Sequence, residues 1–297
     1  MNIAQTPAKE ALKPLVIYHG NCTDGFGAAW CFWNQFGDSF EYFAGHYGKP
    51  TPDVTDREVY IVDFSYKRSV MEGLIFAAKH ITWIDHHESA RKDLDGLEAD
   101  NFLKCFDNEH SGAMLAWDFV DSMSNPSMLQ ETPPELIRHI QDRDLWKFEI
   151  HGTKEIMAAV FSYPFEFEVW DSLMGQEIED LYEEGRVINR KTQKDVASII
   201  KTNQRIMTMD VNGCDYHFPI CNASGELASE VGEALYVACP EWFVGTYYDT
   251  DKERKFSLRS MKGTGGDVST IAAYFGGGGH KHAAGFSVPR THYLAKA

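Results

Sequence analysis

Short uninterrupted apolar runs alternate with amphipathic stretches through the first half of the chain. LVIYH (15–19) reads as a buried strand and is followed by helical spacing over about 25–35. FEYFA (40–44), VYIVDF (59–64) and ITWID (81–85) read as three more strands, with helical spacing over 66–78 before the last. Strands that are apolar throughout, rather than at every second position, are those covered on both faces. Their alternation with helices predicts a doubly wound, mainly parallel sheet.

From 111 to about 204 the spacing is helical. Ser111 is placed to cap GAMLAWDFV, and Pro133 and Pro134 suit the first turn of ELIRHIQDRDLW. The charged stretch from GQEIEDLYEE to KTNQRI reads as one long or broken helix bridging two domains. A second, smaller α/β unit starts near Met207, with strands CDYHFPI, WFVGTYYD and KFSLRSM and a helix over about 226–237. A short helix, DVSTIAAYF, leads into GGGGHKHAAGF. The expected organisation is an α/β chain of two lobes: a domain over 1–185, a helical connector over 186–206, and a second domain over 207–297.

Composition narrows the function classes. A chain of 297 residues is long enough for one large or two medium domains. The start, MNIAQTPAKEALKP, has no apolar signal core, and no later apolar run approaches the roughly 20 residues that span a bilayer. The expectation is a soluble cytoplasmic protein without a membrane partner. The six cysteines, Cys22, Cys31, Cys105, Cys214, Cys221 and Cys239, form no C-x-x-C pair and read as reduced thiols. A net charge of −16 fits either a solvated acidic surface or carboxylates gathered around cations. Both readings disfavour a long nucleic acid gripped by a basic stripe.

In open α/β sheets, sites form at the carboxyl ends of strands. Three predicted strands end in metal-ligand chemistry. LVIY runs into His19, Asn21, Cys22 and Asp24; VYIV runs into Asp63; ITWI runs into Asp85, His86 and His87. A lone Asp after a strand is ordinarily a turn or cap residue, and a lone His pair is ordinarily surface. Three parallel strands carrying such groups at the same end are a different matter. Carboxylates with imidazoles suit Mn²⁺ or Mg²⁺, and two such ions together activate water and neutralise a phosphoryl oxygen.

These segments resemble the motifs of the DHH phosphoesterases. IDHH (84–87) is similar to the family's namesake motif, NCTDGFGAA (21–29) to its first, VDFS (62–65) to its second and QDRDLW (141–146) to its fourth. GGGGHKHAAGF (276–286) resembles the glycine-rich signature of the DHH-associated C-terminal domain. The motifs stand in family order along nearly the whole chain. The family holds RecJ-type exonucleases, nano-RNases, cyclic-dinucleotide phosphodiesterases and family II pyrophosphatases, with two lobes and a metal site facing a cleft.

The resemblance implies that Asp24, Asp63, His86 and an acid of the fourth motif hold two Mn²⁺ or Mg²⁺ ions, with Asp63 bridging them. It also implies that His87 touches substrate phosphate and that Asp85 orients its neighbours. Asp63, Asp85, His86 and His87 are then the catalytic set, and hydrolysis is by a metal-bound hydroxide. In the fourth motif, spacing to Trp146 favours Asp142 over Asp144; the other is a helix cap or an ion-pair partner of Arg143 or Lys147. The first motif departs from the family pattern, with Cys22 where an Asp is expected and His19 one residue nearer Asp24 than usual. An ion there is held by His19, bound weakly, or absent, and Cys22 is either a soft ligand or a small buried packing residue.

The glycines have two readings. Gly277, Gly278 and Gly279 let backbone amides approach an anion, with His280 and His282 as further donors and Arg259 as a bidentate phosphate grip. Alternatively they make a tight turn before a final strand, AAGFSV. Trp30, Phe32 and Trp33 read as core, while Trp117 and Trp146 read as core or as base-stacking surfaces. The expected activity is phosphodiester hydrolysis of a short oligonucleotide or dinucleotide. A pyrophosphatase or polyphosphatase is the nearest alternative, and a ligand-depleted scaffold of nucleic-acid machinery or a mononuclear metal hydrolase the others. Oligomeric state stays open, a homodimer included.

Overall fold

The computed structural model describes residues 12–124, 132–261, 263 and 266–296. The first eleven residues, on which the reading of the N-terminus rests, lie outside the described residues. The chain divides into two compact units: Met1–His86 with Asp93–Gly185, and His87–Lys92 with Arg186–Ala297.

The first unit begins with β1 (Leu15–His19), α1 (Thr23–Phe36), β2 (Glu41–Gly45), β3 (Glu58–Val62), α2 (Arg68–Ala77) and β4 (His80–Asp85). The short α3 (Glu88–Asp93), whose residues up to Lys92 belong to the second unit, follows in the chain, and β5 (Phe102–Phe106) then returns to the first. The strands form one sheet in the order β2-β1-β3-β4-β5, and every pairing is parallel. Val16, Ile17, Ile61, Val62, Trp83 and Ile84 are buried at its centre, as continuous apolar strands require. β5 was not expected from the sequence. It is an edge strand, and its Lys104 interrupts the apolar run that marks the central strands.

Helices α4 (Gly112–Ser124), α5 (Glu135–Asp144), α6 (Thr153–Val160), α7 (Phe167–Met174) and α8 (Ile178–Asn203) follow. α1 and α4 approach closely because Gly27 presents no side chain: a Cβ there would lie 3.1 Å from that of Ala113. Trp30 and Phe32 are buried, and Trp33 stacks on Phe167 at 5.4 Å between ring centroids, so the α1 aromatics are core. Trp117 also packs against this core. Pro134 stands at the N-cap of α5, just ahead of the first turn where the prolines were expected. The charged stretch forms one unbroken helix, α8, of 26 residues.

In the second unit, β6 (Arg205–Val211), β7 (Cys214–Asn222), α9 (Ala228–Ala238), β8 (Val244–Asp249), β9 (Glu253–Arg259), α10 (Val268–Tyr274), β10 (Gly278–His280) and β11 (Ala283–Pro289) build a six-stranded sheet. Its order is β10-β11-β9-β8-β7-β6. All pairings are antiparallel except β7 with β8, which are parallel and joined through α9. Here burial alternates along the strands. Arg254, Phe256 and Leu258 of β9 are buried while their neighbours are not, because one face of the sheet is covered. Among the described residues, no helix is long and apolar enough to cross a membrane.

Candidate metal centre

β1, β3 and β4 are successive neighbours in the first sheet and run parallel, so their carboxyl ends lie side by side. His19 ends β1, Asp63 follows β3, and Asp85 ends β4 with His86 next. Asp24, Asp63, Asp85 and His86 are each at most 1% exposed. The side chains converge on Asp63. Its Oδ1 lies 3.1 Å from His86 Nε2, and its Oδ2 lies 3.5 Å from His19 Nδ1. His86 Nε2 is also 3.6 Å from Asp24 Oδ2 and 3.5 Å from Asp144 Oδ2.

Backbone geometry aims these groups. Asp63 leaves β3 in the left-handed region, φ 51°, a conformation open to Asp at a small cost, while its N–H still bonds Ile84 O at 2.9 Å. The turn carries its side chain towards the start of α4. Gly112 stands there, and a Cβ at that residue would overlap Asp63 Cβ and sit 2.9 Å from its Cγ. Asp24 is clamped by the same helix start, accepting the Gly112 N–H at 2.6 Å and the Ala113 N–H at 3.0 Å. The unbonded amides and the dipole of a helix N-terminus suit a carboxylate. Asp85 Oδ1 accepts the N–H of His86 at 2.8 Å, which fixes the backbone at the motif. Gly25 lets α1 press onto the end of β1, because a Cβ there would overlap His19 O.

Electrostatics follow from this packing. Burial raises Asp24 well above the usual carboxylate range, and the Asp63 and Asp144 carboxylates add to the rise. Burial lowers His86, but Asp144, Asp63 and Asp24 outweigh it and hold the imidazole well above its ordinary pKa. Burial and the same three carboxylates push the Cys22 thiol up. Three carboxylates this close, two of them fully buried, are eased by protons or a cation between them.

The donor set fits a divalent ion. Ligand atoms of Asp24, His86 and Asp144 all lie within 4.8 Å of one another, as do those of His19, Cys22 and Asp63. Two ligands at right angles around an ion with bonds of about 2.1 Å stand about 3 Å apart, close to the separations from His86 given above. Oxygen and imidazole donors together suit Mn²⁺ and related ions.

The fourth motif departs from the sequence reading. Asp142 is not brought to this cluster. Its Oδ1 accepts the Glu149 N–H at 2.9 Å, and its Oδ2 accepts the Ile150 N–H at 3.2 Å and the Thr153 hydroxyl at 2.6 Å. It pins the loop after α5 and is occupied in doing so. Asp144, two residues on, points the opposite way round the helix and reaches His86. His139 Nδ1, 2.8 Å from Thr153 Oγ1, extends the same network, which the sequence did not suggest.

In the second unit the His87 and His280 rings stack at 4.6 Å between centroids. Arg259 Nη2 donates to Ser229 Oγ at the start of α9, and Nη1 donates to Leu258 O, both at 2.9 Å. The glycine run corrects part of the anion-cradle reading. The N–H groups of Gly276 and Gly277 bond Ala273 O and Ala272 O, closing the end of α10. At Gly277 a Cβ would overlap Gly285 O, and at Gly279 (φ 136°) it would lie 2.6 Å from Ala283 O. Close passage of β11 therefore demands glycine at 277 and 279, and the Gly277 amide is already used. Gly278 lies in β10 opposite Gly285. His282 Nδ1 lies 2.9 Å from Ser260 Oγ.

No family model matches the chain. A protein of Acanthamoeba polyphaga mimivirus, described as uncharacterized protein R106, is 29% identical over 296 residues, taking in 92% of this chain and 67% of that one. Among solved structures, a pGpG-specific phosphodiesterase from Vibrio cholerae aligns over 94% of each chain at 13% identity, with a TM-score of 0.47. An exopolyphosphatase-related protein from Bacteroides fragilis aligns over 96% of this chain and 89% of its own, at 15% identity and a TM-score of 0.53. At that identity the likeness to the Bacteroides protein is one of fold.

Proposed function

We propose that the chain is a divalent-cation-dependent phosphoesterase of the DHH type, acting on phosphodiester bonds of short oligonucleotides or dinucleotides. The observation that carries this is the convergence of His19, Asp24, Asp63, His86 and Asp144 from three adjacent strand ends, the first turn of α1 and the end of α5. Divalent ions held there would supply a readied water and neutralise charge on the phosphoryl group. The protein's own part is positioning. Asp63 offers one oxygen to each ligand group, α4 holds Asp24, and Asp85 holds the backbone of His86. His87, His280 and Arg259 supply donors for substrate phosphate, with Arg259 braced by Ser229.

The acidic total supports a short substrate over a long one. A phosphoanhydride hydrolase is the second reading, kept by the fold shared with the exopolyphosphatase-related protein. A panel of di- to hexanucleotides, cyclic dinucleotides, pyrophosphate and polyphosphate, run with Mn²⁺ and with Mg²⁺, separates them. Preferred release of nucleoside monophosphate from the shortest oligonucleotides is expected, abolished by chelator and restored by Mn²⁺. Turnover confined to pyrophosphate or polyphosphate favours the second reading, and no turnover on any of these counts against both.

A further inference from the structure

Cys22 departs from the usual first motif, and its placement gives that departure a chemical meaning. It stands at the N-cap of α1, a position where Ser, Thr, Asp or Asn is the ordinary choice. Its Sγ falls within 4.8 Å of donor atoms of His19 and Asp63. The Asp63 oxygen on that side, Oδ2, is not the one that faces His86. The other thiols are elsewhere; Cys31, for example, is buried in α1 and donates to Gly27 O at 3.2 Å.

We propose that Cys22 is a thiolate ligand, so that one of the two cation positions has the mixed donor set His19 nitrogen, Cys22 sulfur and Asp63 oxygen. The inference rests on the phosphoesterase reading for the second position, Asp24, His86 and Asp144. Sulfur and imidazole donors bind Zn²⁺, Fe²⁺, Co²⁺ and Cd²⁺ in preference to the hard ion Mg²⁺. The two positions are therefore unlike: one takes borderline or soft ions, the other a hard oxygen-seeking ion. Each cation bound through Cys22 displaces one thiol proton to solvent.

The test is titration of the full chain with Co²⁺, read by absorption. Sulfur ligation gives a near-ultraviolet charge-transfer band besides the visible bands of the bound ion. The band is expected in the wild type and absent in Cys22→Ser, whose visible bands remain. Cd²⁺ affinity is expected to fall about tenfold or more in Cys22→Ser while Mg²⁺ affinity is little changed, and Cys22→Asp is expected to shift preference towards Mg²⁺ and Mn²⁺. Visible bands without the sulfur band in the wild type overturn the Cys22 assignment and leave the phosphoesterase reading standing. A sulfur band that persists in Cys22→Ser overturns it too, by assigning another thiol. A wild-type chain that gives no Co²⁺ spectrum at all overturns the metal centre together with the Cys22 assignment.

Discussion

Asp63 and Gly112 meet with no room for a methyl group between them, so the carboxylate at the end of β3 is aimed by the absence of a side chain at the start of α4. Gly112→Ala should force either the Asp63 side chain or the helix start to move. Overpacking of this kind costs about 1–3 kcal/mol. Mn²⁺ affinity, by calorimetry, should drop about tenfold or more, because the same shift disturbs the Gly112 N–H that holds Asp24. Wild-type affinity in a folded Gly112→Ala chain would contradict this placement.

Asp63→Asn separates function from stability. Asn tolerates the left-handed backbone that Asp63 adopts, so little strain is added. The substitution removes the carboxylate whose two oxygens face His19 and His86, and turnover should vanish at any Mn²⁺ concentration. Without cations it also relieves repulsion among Asp24, Asp63 and Asp144, and the melting temperature of the cation-free chain should stay equal or rise. Near-normal turnover would refute the role.

Asp142 and Asp144 should respond in opposite ways. Asp142→Ala strips three donors, the buried Thr153 hydroxyl among them, of their acceptor and should lower stability by about 2 kcal/mol in urea unfolding. Asp144→Ala should leave the urea midpoint nearly unchanged and abolish cation-dependent turnover. The reverse pattern would restore Asp142 as the ligand.

The acid limb of stability has a source in the second unit. Two hydrogen bonds from Arg254, at 2.7 and 3.0 Å, with help from Arg290, hold the Asp249 carboxyl down at about 2. A carboxyl depressed on folding stabilises fully above its unfolded pKa near 4, and that contribution is lost as pH falls towards 2. Asp249 is one-third exposed, so the contribution is about 1 kcal/mol after solvent screening. Between pH 5 and pH 3 the urea midpoint should fall more steeply in the wild type than in Asp249→Asn.

The first sheet was legible because β1, β3 and β4 are covered on both faces and show it as unbroken apolar runs. β5 and β6 were not. Each is an edge strand, and in β6 the buried Met207 and Met209 are separated by the exposed Thr208 just after a long charged helix. The Asn212–Gly213 pair, both at positive φ, is the hairpin signal that marks the end of β6. At the metal centre, residues tied to strand ends could be placed from the sequence, because a strand end is a position in the sheet. The fourth-motif acid could not. Its direction depends on rotation about α5, which two-residue spacing reverses. The glycines at 277 and 279 answer to the close passage of β11, a contact that no local pattern reveals.

The lone parallel pair of the second sheet has a kinetic consequence. β6 with β7, and β8 with β9, each join neighbours in sequence and can zip locally. β7 can meet β8 only after the chain has passed through α9 and returned, so loop closure precedes any gain from that pairing. The return of β11 to β9 through α10 meets the same requirement, so these two closures, rather than either hairpin, should limit the rate at which the second unit forms.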